Sequence, residues 1–255
     1  MRKSDLAIDI LTTSGPCLSF LGQAGFVFKS KKGTLIGLDM YMSNCLERID
    51  GYVGFKRLLP YVLNPYDLEF DYVIATHPHY DHFDMDSIPL LLSNNKTKLI
   101  ASLNCQQEVV RLKMDENRVS YFQPGEEILA DDIKISFVPC NHGLSAPDAF
   151  GVVLEMDGYR IYSVGDSSLD IDINDQMAGA DIMIAPINGK WGNLSEKDCI
   201  ELSRRINPKL TIPCHYGMFA MHGGDPGVFK SGMDEAKMPY YLMAVGETIR
   251  INAVI

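Results

Sequence analysis

Residues 71–84 read DYVIATHPHYDHFD: an apolar run that ends in three histidines (His77, His79, His82) and two aspartates (Asp81, Asp84). The whole chain has only six histidines, so half of them sit in this one stretch. Residues 72–75 carry the aromatic and β-branched pattern of a buried strand, and the polar cluster begins where that strand stops. On extended backbone the alternate residues His77 and His79 point the same way and can hold one cation together; Asp81 and His82 follow where the chain turns and can face a second. Imidazole nitrogen and carboxylate oxygen are donors that zinc, manganese and iron accept, and a catalytic centre keeps one position for water. A lone histidine is usually a core or surface residue with an ordinary hydrogen bond. The H-x-H-x-D-H spacing points to metal instead.

Working outward, other polar residues also fall where strands are expected to end: Asn141 and His142 after ISFVP, Asp166 after IYSVG, His215 after LTIP. Strand ends from distant segments converge along one edge of a sheet, where loops build sites. LSFLGQAGFVFKS and TLIGLDMYM are expected as strands joined at Lys31-Lys32-Gly33, and residues 43–70 as an irregular region with one short helix. NCQQEVVRLKM reads as a helix capped by Asn104, and Asp157-Gly158 as the tight turn of a hairpin. Ser195 with Asp198 makes a capping box, and YYLMAVGETIRINAVI reads as a closing hairpin. The alternation of strands with amphipathic stretches is that of an α/β fold, and no repeat or linker divides it, so residues 1–255 are expected to form one domain.

The 255 residues are 46% hydrophobic, ample for a core, with a formal net charge of -10. That charge opposes attraction to nucleic acid or anionic lipid and favours a small-molecule substrate; homo-oligomerisation is left open. Asp5 and Asp9 interrupt the N-terminal apolar run, which fails as a secretory leader, and no stretch is long enough to span a bilayer. Six cysteines without a C-x-x-C pair suit reduced thiols in the cytoplasm. Dinucleotide loops, phosphate loops and G-x-S-x-G elbows are absent, so nucleotide cofactors and serine nucleophiles lack support.

THPHYDH, His142, the Asp166 of SVGDSS and the His215 of IPCHYG resemble, in order, the motifs of the metallo-β-lactamase superfamily. INGKWGNLS and PKLTIPCHYGMF are most similar to its branch containing L-ascorbate-6-phosphate lactonase. The resemblance implies a four-layer αββα sandwich with one or two divalent ions, zinc or manganese first and iron as the alternative. It implies His77, His79 and His142 on one ion, Asp81, His82 and His215 on a second, and Asp166 bridging. The activity implied is hydrolysis by metal-activated water of a small anionic metabolite such as a sugar-derived lactone phosphate, with Asp81 or Asp166 positioning the water or shuttling its proton. A phosphodiesterase or nuclease of the same fold, and an inactive binding module, are the alternatives. Iron chemistry with oxygen is disfavoured, because such relatives typically carry Glu where His79 stands.

Gln23 stands where many relatives have histidine and is expected to support the site rather than bind metal. Asp84 is expected to hold the ligand loop, and His222 is left outside the metal set. Cys140 and Cys214 are expected as buried small hydrophobes, and Asn141 and Asn188 as hydrogen-bonding candidates for substrate. Lys56, Arg57, Lys190 and Lys230 are the basic residues nearest the expected site loops; a phosphorylated substrate would need at least one of them.

Overall fold

The computed structural model describes residues 3–50, 53–144, 146–170, 177 and 179–255. Two sheets face each other. The first is made of β1 (Cys17–Gly22), β2 (Gly25–Lys29), β3 (Leu35–Leu38), β4 (Tyr72–Ala75), β5 (Lys98–Ser102), β6 (Val119–Phe122) and β13 (Thr248–Arg250), in the order β13-β1-β2-β3-β4-β5-β6. The second holds β7 (Glu127–Ala130), β8 (Ile133–Pro139), β9 (Phe150–Met156), β10 (Tyr159–Ser163), β11 (Ile182–Pro186) and β12 (Leu210–Cys214), in the order β12-β11-β10-β9-β8-β7. β3 to β6 run parallel, as do β10 to β12, so their C-terminal ends gather on common edges.

The strands are apolar on both faces because both faces are covered. Leu18, Phe20, Phe26 and Phe28 face inward against Ile135, Phe137, Val152 and Ile184 of the opposing sheet. The alternate residues Val27, Val73 and Leu99 turn outward against helices α1 (Asp5–Thr12), α3 (Ser87–Leu91) and α4 (Gln106–Arg111). On the other side Val153, Tyr162 and Met183 pack on α5 (Glu196–Ile206) and α6 (Pro226–Ala236). The short α2 (Cys45–Asp50) lies with Tyr41 and Phe219 in a separate small cluster. Helix, sheet, sheet and helix make the four-layer αββα sandwich.

Several expectations change. LSFLGQAGFVFKS is two strands, split at residues 22–25, where Gly22 (φ 93°) and Gln23 (φ 56°) turn the chain. Asn104 caps nothing: a 3-10 turn, Leu103–Cys105, precedes α4, and the Asn104 N–H donates to Asp148 instead. The closing hairpin reduces to β13 paired with β1, since Glu247 folds back onto Ala244 and Gly246 takes a positive φ. Helix α1 was hidden by its two aspartates, which lie on its exposed side while Leu6, Ala7 and Ile10 are buried. Helix α6 is announced by Asp225-Pro226: the aspartate accepts from Gly227 and Val228, and proline fills the first turn, where no N–H is needed. The capping box at Ser195 and Asp198 and the Asp157-Gly158 turn form as expected.

Candidate metal centre

The first sheet delivers His77 from the end of β4 and the loop carrying His79, Asp81 and His82; the second delivers His142, Asp166 and His215 just beyond β8, β10 and β12. All seven are thereby brought together: His79, Asp81, His142, Asp166 and His215 line a cavity of about 360 Å³, and His77 and His82 are fully buried behind them. Asp84 fixes the loop from beneath. It accepts from the backbone of Met42 and Ser43, each at 2.8 Å, and from the Ser87 hydroxyl at 2.9 Å, which joins the ligand loop to the start of α3. Gly165 (φ 72°) precedes Asp166 with its Cα so close to the Phe150 carbonyl that a side chain would meet it at 3.0 Å.

The ring nitrogen atoms approach one another closely. His77 Nε2 lies 2.9 Å from His79 Nδ1, which lies 3.1 Å from His142 Nε2. His82 Nε2 is 3.3 Å from His215 Nε2, and Asp166 Oδ1 is 3.3 and 3.2 Å from those two atoms. The far sides of the first-strand rings explain the direction. Thr76 Oγ1 donates to Asp39 Oδ2 and so accepts from His77 Nδ1 at 3.1 Å, while His82 Nδ1 meets the same Asp39 oxygen at 2.9 Å. With those Nδ1 atoms engaged, both rings present Nε2 to the centre. Deprotonated there, these nitrogens suit a cation, since ligand atoms on a tetrahedral ion with bonds of 2.0–2.1 Å stand about 3.3 Å apart. Three groups bring one ligand atom from each residue within 4.8 Å of the others: His77, His79 and His142; His77, His82 and Asp166; Asp81, His82 and His215.

Electrostatics divides the cluster. Burial opposes charge on His215, but the carboxylates of Asp166 and Asp81 outweigh it and lift the imidazole to about 9. His82 moves well above its usual value in the same way, against burial, through Asp166, Asp39 and Asp81. Burial pulls the carboxyls of Asp81 and Asp166 up, yet the two imidazoliums hold both well below the carboxylate range. Burial, reinforced by positive neighbours, drives His77 and His79 down and His142 to about 4.

Gln23, His222, Asp39 and Asn193 complete the surroundings. The Gln23 side-chain amide donates to Asp81 Oδ2 at 2.8 Å and to His222 Nδ1 at 2.9 Å, and the Gln23 backbone carbonyl accepts from the His215 backbone N–H at 2.7 Å. His222 stacks on His215 with ring centres 5.1 Å apart, and burial beside His215 lowers it to about 4. Asn193 donates to Asp166 Oδ2 at 3.0 Å. Gln23, Asp39 and His215 all hold left-handed φ angles (56°, 44° and 62°), a strain of about 1–2 kcal/mol each that the surrounding bonds sustain. Sequence reading missed Asp39 and Asn193. For Asp39 the signal was present, a carboxylate closing the apolar strand TLIGL as Asp166 closes IYSVG.

Other candidates lie elsewhere. Neither Asn141 nor Asn188 lines the cavity: Asn141 binds Ser167 through its N–H, and the Asn188 amide donates to the Lys190 carbonyl. Burial raises the thiols of Cys140 and Cys214, and all six cysteines are free. Lys190 donates to the Met221 carbonyl at 2.9 Å, and Lys230 pairs with Asp234 and Tyr240. Arg57 donates to the carbonyls of Tyr41, Ser43, Leu59 and Pro60. Lys56 is exposed and absent from the cavity wall.

Residues 49–216 match the family model described as beta-lactamase superfamily domain. A UPF0173 metal-dependent hydrolase of Thermodesulfovibrio yellowstonii is 26% identical over 258 residues, covering 92% of each chain. Another, from Saccharolobus solfataricus, is 25% identical over 206 residues, covering 80% of this chain and 90% of the relative. Among solved structures, a metallo hydrolase from Ignicoccus hospitalis superposes with a TM-score of 0.71 at 19% identity, over 92% of this chain and 97% of that one. The metallo-beta-lactamase fold protein YhfI of Bacillus subtilis gives 0.69 at 15% identity, over 93% and 99%. With the family model spanning well over half its length, the chain belongs to the metallo-β-lactamase superfamily.

Proposed function

We propose that the protein is a metal-dependent hydrolase that cleaves the acyl C–O bond of a small lactone or ester. The observation that supports this most is the convergence of seven imidazole and carboxylate side chains, five of which line one cavity. We assign His77, His79 and His142 to one divalent ion, Asp81, His82 and His215 to a second, and Asp166 to both. Zinc or manganese suits this donor set, with iron the alternative. When bound, such an ion supplies water that is acidic near neutral pH and a Lewis acid for the carbonyl oxygen.

The chain's own groups do the rest. Asp81 and Asp166, kept ionised by their imidazole neighbours, accept a proton from the attacking water. With Gln23 as the donor to its Nδ1, neutral His222 keeps its proton on Nε2, on a ring that lines the cavity, and hydrogen-bonds the departing oxygen, while the proton taken up by Asp81 or Asp166 is the one passed to that oxygen. A bond forms from water oxygen to the carbonyl carbon and the ring or ester C–O bond breaks. One water proton ends on the new hydroxyl and the other leaves with the carboxylic acid. We also take residues 1–255 as one domain, since β13 near one terminus completes the sheet begun by β1 near the other. Among the described residues no helix is long and apolar enough to cross a membrane, and the free thiols suit the cytoplasm, where we place the protein.

The test is turnover by metal-loaded and metal-stripped protein on lactones, carboxyl esters and bis-aryl phosphodiesters. Lactone or ester hydrolysis that disappears with chelator and returns with zinc or manganese is expected. Turnover of phosphodiesters alone would replace the acyl assignment with the phosphodiesterase reading, and a fully loaded protein inert on all three would sink the hydrolase reading.

A further inference from the structure

We infer that the acyl substrate is uncharged and carries an aromatic or bulky apolar group, which packs against Trp191 and Phe55 while its carbonyl reaches the metal ligands. This rests on the hydrolase reading and narrows its substrate. The wall above the ligands is apolar: Leu46, Phe55, Pro78, Tyr80 and Trp191 line it with His222. The cavity, about 360 Å³, sits at the lower end of the range for small-molecule sites and suits a molecule of one or two rings.

Trp191 is the decisive residue. It is 55% exposed, an unusual state for the largest apolar side chain, and its indole centre stands 6.0 Å from the Phe55 ring. The turn that carries it is left-handed at Gly189 (φ 61°), Trp191 (φ 60°) and Gly192 (φ 82°), so the backbone accepts strain to hold an indole at the cavity wall. The same loop is pinned across the site by the Lys190 ammonium on the Met221 carbonyl.

Charge argues the same way. No lysine or arginine lines the cavity, and of the 23 in the chain only Arg2 lies outside the described residues. Of the cations nearest the site loops, Arg57, Lys190 and Lys230 are engaged on carbonyls, a carboxylate or a phenol as described above, and Lys56 is exposed and off the cavity wall. A phosphate set against this wall would meet no lysine or arginine, and any part of it withdrawn from water there would gain no hydrogen bond from the apolar side chains.

The experiment uses the full chain loaded with zinc or manganese and compares three lactones: γ-phenyl-γ-butyrolactone, unsubstituted γ-butyrolactone and a phosphorylated sugar lactone. Trp191 is the chain's single tryptophan, so its fluorescence reports occupancy without turnover, with the matching phenyl-substituted lactam as the unreactive probe. The phenyl lactone is expected to exceed both others in kcat/KM by about tenfold or more, the scale of one apolar pocket contact. The lactam should shift the emission saturably, and Trp191→Ala should raise KM for the phenyl lactone at unchanged metal content. Equal or faster turnover of the phosphorylated lactone, or an emission unmoved by saturating lactam, overturns the substrate class and leaves the hydrolase standing. If metal-loaded protein hydrolyses no lactone or ester, the acyl assignment itself falls, and this inference with it.

Discussion

The floor of the cavity and its wall are built differently. The floor comes from strand ends and the tight loop after β4, and its side chains are oriented by hydrogen bonds with Thr76, Asp39, Gln23 and Asn193. The wall comes mostly from α2, a 3-10 turn and the loop before α5, with Pro78 and Tyr80 added from the loop after β4, and its side chains meet through apolar and ring contacts such as Phe55 on Trp191 and Phe55 on His222. Metal chemistry tolerates errors of only a few tenths of an ångström, which sheets and buried carboxylates supply. Selection of an apolar group tolerates more, and loops can vary without disturbing the sheets. The division predicts that substitutions on the two parts will fail in different ways.

The largest effect is expected from His77→Ala, which removes a donor from two of the three ligand groups. Bound metal per chain should drop and turnover should fall to background while the protein stays folded, as read by elemental analysis and thermal unfolding. Full metal content in this variant would contradict the floor as a metal centre. Asp39→Asn keeps the shape of the group that orients His82 but removes its charge, and about 10–100-fold weaker metal binding is expected in chelator competition. Unchanged affinity would reduce Asp39 to a structural bond. Phe55→Ala should leave metal affinity alone and raise KM severalfold for a phenyl-bearing lactone; a loss of metal would erase the distinction between floor and wall.

The smallest effect is in the metal-stripped protein. His215 is raised from the usual 6.5 to about 9, so its contribution to stability is complete below pH 6.5 and is lost as pH rises through about 9. Denaturant midpoints of stripped protein should therefore fall across that window. Metal-loaded protein should show a flatter profile, because its ligating imidazoles have already given up their protons. A stripped protein equally stable at both ends would refute the electrostatic division of the cluster.

The floor was legible because its residues obey a local rule: polar side chains appear where apolar runs stop, at His77, His142, Asp166 and His215. The sandwich followed from the same alternation. What stayed hidden depends on contacts distant in sequence. Gln23 meets His222 across 199 residues, and Asp39 reaches His82 only because β3 and β4 are neighbours. Trp191 gave no periodic signal, since its place at the cavity comes from a left-handed turn. The missed helix α1 and the false closing hairpin show the reverse error, in which aspartates hid an amphipathic helix and a run of aromatics imitated a strand.

The bond from the His215 amide to the Gln23 carbonyl spans nearly the full length of the sandwich's connectivity, and β13 seals the strand from which Gln23 turns. A nascent chain emerging from the ribosome displays THPHYDH long before its last donor is synthesised, so any ion it meets early is held by an incomplete, open set of ligands. On the metal assignment proposed above, the full donor set is complete only when the final strands dock, so loading of the site is coupled to the end of folding.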